Sequence, residues 1–280
     1  MLNRHFPVLL LLAAGLLSGC AVTRVGDNLP YGVLNHTDIE LVGEGLPTYL
    51  LTIDGLIVNW PQSVSLLQSG AALYSAYAGL YVDEQQRQQA LSARALAYAL
   101  RAACADSKRI CGLRDMPMAD FDVALAKAGK RRMPVLYTLG TTWAGYIEAH
   151  SSDWNAIAEL GRVEALMTRV VALDEGYQQG QAHMYLGVLK SLLPPALGGK
   201  TEQARAHFER AIELSGGRNL MAKTLYAERY ARLVFDQSLH DRLLQEVLAA
   251  DPAEYGLTLQ NRVAQRDAAA LLAGSEAYFE

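Results

Sequence analysis

Regular alternation of β-branched residues is nearly missing from this 280-residue chain, and that absence removes sheet architectures before any motif is considered. The signatures of covalent and nucleotide chemistry are missing too. There is no G-x-S-x-G elbow, no H-E-x-x-H pair, no Walker loop and no G-x-G-x-x-G following a strand. His36, His150, His183, His207 and His240 stand singly, so spacing aims no two imidazoles at one metal. Ser215 lies beside Gly216-Gly217, where a hydroxyl and glycines suit a helix end better than a nucleophile. The formal net charge is −4 with both signs interspersed, which excludes the concentrated basic surface that nucleic acid demands. A non-enzymatic protein with no cofactor and no metal is the expectation.

What is present begins at the N-terminus. Arg4 supplies a positive n-region, Val8 to Leu17 an apolar h-region, and Leu17-Ser18-Gly19-Cys20 a lipobox. The run is well short of the ~20 apolar residues that span a bilayer. The expectation is a lipoprotein signal over 1–19, with diacylglycerol on Cys20. Ala21 stands where an Asp would favour the inner membrane, so the expected location is the periplasmic leaflet of the outer membrane. No later segment reads as long and charge-free enough to cross a membrane. Residues 20–45 lack periodicity and read as a tether; 46–280 read as one helical domain, with 46–61 a short helix or an extended strap.

From Gln62 onward, alanine and apolar residues recur at three- and four-residue spacings. Helices are expected over 63–82, 86–105, 119–128, 134–149, 153–173, 177–193, 201–215, 219–236, 239–250 and 254–273. Asp120 and Thr201 are expected N-caps, Ser238 with Asp241 a capping box, and Gly129 and Gly216-Gly217 left-handed C-caps. Pairs of similar length recur with small and aromatic positions in tetratricopeptide-like register. One is Tyr74, Ala78, Tyr81, Ala90 and Ala97, with Arg94 out of pattern. A second is Trp143 to Ala149 with Leu160 to Leu173, a third Gly187 with Ala204, Phe208 and Ala211, and a fourth Tyr226 to Phe235 with Leu239 to Ala250. The fold expected is all-α: about four degenerate helical-hairpin repeats in a right-handed superhelix, with extra helices. A generic bundle with small residues at its crossings is the alternative.

The stretch Leu197 to Gly217, containing Gly198-Gly199 and the helix Thr201 to Ser215, resembles the T-component family of TRAP transporters. So do Tyr226-Ala227-Glu228-Arg229-Tyr230-Ala231, the run His240 to Leu248, Leu46-Pro47-Thr48-Tyr49-Leu50-Leu51, Asp54-Gly55-Leu56 and Tyr278-Phe279. The resemblance implies a periplasmic lipoprotein that forms a homotrimer and docks the transporter's substrate-binding (P) subunit, with a pore or cavity through each protomer. A generic tetratricopeptide scaffold in envelope assembly is the rival function.

Particular residues carry the site expectations. Cys104 and Cys111 would pair in an oxidising compartment, a zinc site being the alternative for which no further ligands are at hand. Trp143 and Tyr146 either line a ligand cavity, anchored by Arg169 and His183, or fill gaps between helices. Leu193-Pro194-Pro195-Ala196-Leu197-Gly198-Gly199 either presents a docking loop, through Pro194, Pro195, Gly198 and Gly199, or merely connects. Lys200, Arg205 and Arg210 with Glu202 and Glu209 read as a solvated helix face able to steer a charged partner.

Overall fold

The computed structural model describes residues 32–280, and no strand occurs among them. Cys20, the signal segment and the first part of the expected tether lie outside the described residues. The all-α expectation holds. The tether boundary at 45 does not, because α1 spans Ile39–Asn59. The Asp38 carboxylate caps it by accepting the Leu41 N–H. Val42, Leu46, Leu50, Ile53 and Ile57 form its buried stripe. Pro47 and two glycines hide this stripe in the sequence. Gly43 is there for space, since a Cβ would stand 2.6 Å from the Tyr81 ring.

By length and composition α1 is also apolar enough to cross a membrane, which corrects the reading that no later segment is. Its inner stripe instead packs on the body, and Asp54 on it is engaged by the next two helices. These are α2 (Val64–Tyr81) and α3 (Gln85–Asp106), an antiparallel hairpin. Asp54 accepts from Tyr74 at 2.7 Å, Tyr98 at 2.6 Å and Arg94 at 2.8 Å. Burial and the carboxylate together push the Tyr98 phenol up to about 12. Arg94 is thus an outward clamp. The first-hairpin register moves accordingly: α3 buries Ser92, Ala95, Leu96, Ala99, Ala102 and Ala103, while Ala90 and Ala97 are exposed.

Next come α4 (Met118–Ala126), α5 (Met133–Ala149), a single turn at Trp154–Ile157, and α6 (Leu160–Leu173). The expected helix over 153–173 is therefore broken at Ala158 and Glu159. Asp120 lies in the first turn of α4 with Pro117 at the cap, and Gly129 has an ordinary extended backbone. The hairpin α7 (Gln181–Lys190) and α8 (Thr201–Leu214) follows. Residues 177–180 form a tight kink in which Gln178 and Gln179 take φ of 50° and 55°. Such strain persists only where surroundings enforce it: the Gln179 amide reaches Glu254 at 3.3 Å, and Gly180 abuts Leu214 with no room for a Cβ. Gly216 and Gly217 take φ of 58° and 74°, the expected left-handed cap.

The last hairpin departs most from expectation. α9 (Leu220–Leu225) passes directly into a π-helical turn at Tyr226–Ala231 and ends in a bend, where one uninterrupted helix is expected over 219–236. α10 (Gln237–Ala249) is capped by Asp236, so Ser238 is inside the helix. Then α11 (Thr258–Ala273) and α12 (Ser275–Phe279) close the chain.

Small residues set the hairpin spacing. A Cβ on Gly140 would meet Met167 at 2.5 Å, and one on Gly187 would meet the Phe208 ring at 3.0 Å. In α5/α6 and α7/α8 the first helix is hollowed where the second inserts a large side chain. Three apolar clusters run along the stack, centred on α1 to α3, α3 to α7, and α7 to α11. α11 also returns to the N-terminal side: Leu259 joins the α1 cluster, and the Gly256 N–H donates to Asn35 at 2.8 Å.

Candidate functional site

A groove of about 590 Å³ opens between α8 and α10 over the π-helical turn. Its floor is Ile212, Tyr226, Tyr230, Leu239 and Leu243. Phe208 fixes this floor from beneath, stacked on Tyr226 with centroids 5.2 Å apart. Both walls repeat one device, an arginine four residues before a glutamate. On α8, Arg205 meets Glu209 at 2.8 Å; on α10, Arg242 meets Glu246 at 3.7 Å. Lys223 adds a 2.7 Å contact to Glu246. Burial first, then Glu209, raises the Tyr226 phenol, so it stays protonated and donates to Glu209 at 3.3 Å. The walls balance positive against negative, and the floor is apolar with phenolic tips. Such a lining is complementary to an amphipathic segment, through contact area on the floor and charges at the rim.

Sequence reading touches this groove from two sides without assembling it. Arg205 and Glu209 are in the solvated face, while Tyr226 and Tyr230 are in a stretch quoted for the family. What joins them is the π turn, which local composition does not announce.

A second polar feature lies inside the stack. Tyr137 donates to Gln181 at 2.6 Å, Gln181 reaches Gln260 at 3.5 Å, and Gln260 donates to Asn219 at 2.9 Å. Asn219 Nδ2 and Gln179 Oε1 are buried without a protein partner. Burial first, then the neighbouring Tyr185 and Tyr177, holds the Tyr137 phenol well above its ordinary value. The seam joins α5, α7, α9 and α11 through side chains that donate and accept but carry no charge.

The four residues expected to line or anchor a cavity do not surround one opening. Trp143 is fully buried, edge-on to Phe121 at 6.4 Å, and its indole N–H donates to Glu159 at 2.8 Å. It fills space because Gly140, one turn earlier on the same helix, lets α6 approach. Tyr146 carries the Arg114 guanidinium over its ring at 4.7 Å, and Arg114 is bidentate to the same Glu159. Arg169 is elsewhere, donating to the carbonyls of Ala126 and Ala128 at the end of α4. His183 faces His207 across the α7/α8 pair.

Cys104 and Cys111 are joined as a disulfide, closing the chain as it leaves α3. The loop between α7 and α8 is built on its backbone. Leu197 and Gly199 N–H both donate to the Pro194 carbonyl, at 2.9 and 3.1 Å. Gly198 has φ of 83°, and a Cβ on Gly199 would overlap the Leu193 carbonyl. That fold turns Leu192, Leu193 and Leu197 outward, 47%, 50% and 69% exposed.

One cluster superficially imitates a hydrolase. Asp241 accepts from Ser275 at 2.5 Å and from His240 Nδ1 at 2.8 Å. Both donors spend themselves on one carboxylate, however, and His240 Nε2 is buried without a partner. A relay needs that nitrogen on the hydroxyl, so the cluster pins α12 onto α10. Among the described residues no group of three or more histidine, cysteine or acidic side chains is placed to hold a metal ion.

No curated protein matches the chain. The family model described as TRAP transporter T-component matches residues 35–279, from just before α1 to the penultimate residue. It takes in the groove, the polar seam and the leucine-bearing loop. This chain belongs to the TRAP transporter T-component family.

Proposed function

We propose that the protein is the lipid-anchored accessory component of a TRAP-type solute uptake system, and that it docks the periplasmic substrate-binding (P) subunit through the groove over the π turn. The observation that carries this reading is the pairing of an apolar tyrosine-rich floor with charge-balanced walls. The leucine loop at Pro194, Pro195, Gly198 and Gly199 supplies a second contact, because apolar side chains held on a stiff loop lose little entropy on binding. The polar seam around Tyr137, Gln181, Gln260 and Asn219 is where a small organic-acid or amphipathic ligand would be passed, its unpaired amides offering donors and acceptors.

In this reading the hairpins α2/α3, α5/α6, α7/α8 and α9/α10 are four degenerate tetratricopeptide-like repeats in a right-handed superhelix. The contacts of Gly140 with Met167 and Gly187 with Phe208 support that register. The mature chain begins at lipidated Cys20, lies on the periplasmic face of the outer membrane and assembles as a homotrimer. Catalysis and cofactors have no part in it.

Light scattering on delipidated protein, alone and with its P subunit, tests the proposal. A trimer that takes up P subunit in fixed stoichiometry is expected. A monomer indifferent to that subunit, yet retaining extended peptides, would replace this function with the envelope-scaffold one.

A further inference from the structure

The helices of the α7/α8 hairpin face each other through two histidines. His183 Nδ1 lies 2.8 Å from His207 Nδ1, a distance that requires one proton between the two nitrogens. The tautomers follow from the surroundings. His183 Nε2 lies 3.4 Å from Glu175 Oε2, without the alignment of a hydrogen bond, and the nearby carboxylate favours the hydrogen on that nitrogen, so that His183 accepts at Nδ1. His207 therefore donates from Nδ1.

Every charge facing the pair is already compensated. Glu175, preceding α7, is held by Arg210 from α8, which also binds Glu213. Glu164 of α6 is paired with Lys190 of α7. The carboxylates that could welcome an imidazolium are thus committed, while Lys190 and Arg210 oppose one. His183 is 7% exposed. Desolvation first, then His183 and Lys190, lowers His207 to about 4, and desolvation likewise lowers His183.

We infer that the His183–His207 pair is a proton-sensitive latch on the α7/α8 hairpin, closed when both imidazoles are neutral and opened by acid. A proton added at His207 Nε2 places a charge in the seam but leaves the Nδ1 hydrogen bond. A second, on His183 Nδ1, sets two N–H groups against each other and breaks it. The hairpin carries the 191–200 loop between its helices, so opening releases that loop from its frame. Any effect on docking rests on the function proposed above; the latch itself does not.

The sign is fixed by the direction of the shifts. Folded-state values below those of free imidazole mean that the open form binds more protons. The closed hairpin is therefore favoured above about pH 6.5 and loses ground as pH falls toward the folded-state values.

Nuclear magnetic resonance titration of the five histidines outside the signal segment, assigned through single substitutions, reads the pair directly. Hydrogen exchange of intact protein between pH 6.5 and 4.5, corrected for intrinsic rates, reads the hairpin. The expected result is depressed titration of His183 and His207, with opening of α7 and α8 rising at least ~10-fold relative to the α2/α3 hairpin. The double variant His183→Asn, His207→Asn, whose amides can keep one hydrogen bond and cannot be charged, should flatten that rise. Both histidines titrating near 6.5 would overturn the inference, as would an equal rise in α2/α3. A pH dependence that survives the double variant would overturn it too. If that variant does not fold, the titration and the wild-type exchange comparison still decide.

Discussion

Phe208→Ala probes the hairpin principle at its tightest point. The ring is fully buried, three of its carbons lie 3.0 Å from where a Gly187 Cβ would stand, and its far face stacks on Tyr226 at 17°. Removing it deletes the transfer free energy of a buried aromatic and leaves a hole that the helices close only in part, about 3–5 kcal/mol in all. The lost stacking, about 1 kcal/mol, is contained within that figure. Gly187→Leu alone should also destabilise, by about 1–2 kcal/mol, since overpacking against the ring outweighs the helix propensity gained over glycine. Combined, the new leucine occupies the space the ring has left. The double variant should then recover about 1–2 kcal/mol relative to the sum of the singles. Urea unfolding followed by circular dichroism at 222 nm measures each step, read as midpoint shifts at constant slope. A Phe208→Ala loss below about 1 kcal/mol, or strict additivity of the two substitutions, would refute the claim that glycine and ring are fitted to each other.

Other perturbations follow from single contacts. Glu159→Gln keeps an acceptor for the Trp143 indole but removes the anion beneath Arg114, and should cost about 1–3 kcal/mol by the same unfolding assay. Reducing the Cys104–Cys111 disulfide, whose partners are 7 residues apart, should lower stability by about 2 kcal/mol, because only a short loop is released; calorimetry with and without reductant checks it. Gly199→Ala cannot keep the Leu193 carbonyl where it is. It should weaken P-subunit binding several-fold in a pull-down titration while leaving far-ultraviolet dichroism unchanged.

How much of this was legible from residues alone depends on the range of the interaction. The hairpins could be read because Gly187 with Ala204, Phe208 and Ala211 sets a local spacing that the structure keeps: Phe208 does insert opposite Gly187. The first half of α1 is hidden in the sequence because Gly43, Gly45 and Pro47 imitate a linker, and the reason for Gly43 is a tyrosine on another helix. Arg94 looked like a flaw in the first repeat because its partner, Asp54, lies 40 residues away. The Trp143 cluster left two readings open, and Glu159, whose carboxylate accepts the indole N–H, decided between them. The groove and the histidine pair were the least legible. Both depend on how three helices meet: the π turn lets Tyr226 and Tyr230 face α10, and His183 meets a partner 24 residues on.

The central claim is that the groove between α8 and α10 is where the substrate-binding subunit sits. Arg205 and Arg242 stand on its two walls with side chains 53% and 64% exposed, so reversing both to glutamate should change stability by less than about 1 kcal/mol. Isothermal calorimetry of the P subunit against wild type and the Arg205→Glu, Arg242→Glu double variant then isolates binding from folding. Saturable heat with wild type and at least ~10-fold weaker affinity in the variant, about 1.4 kcal/mol, is the expected outcome. Undiminished affinity in the variant, or no heat with either protein, would contradict it.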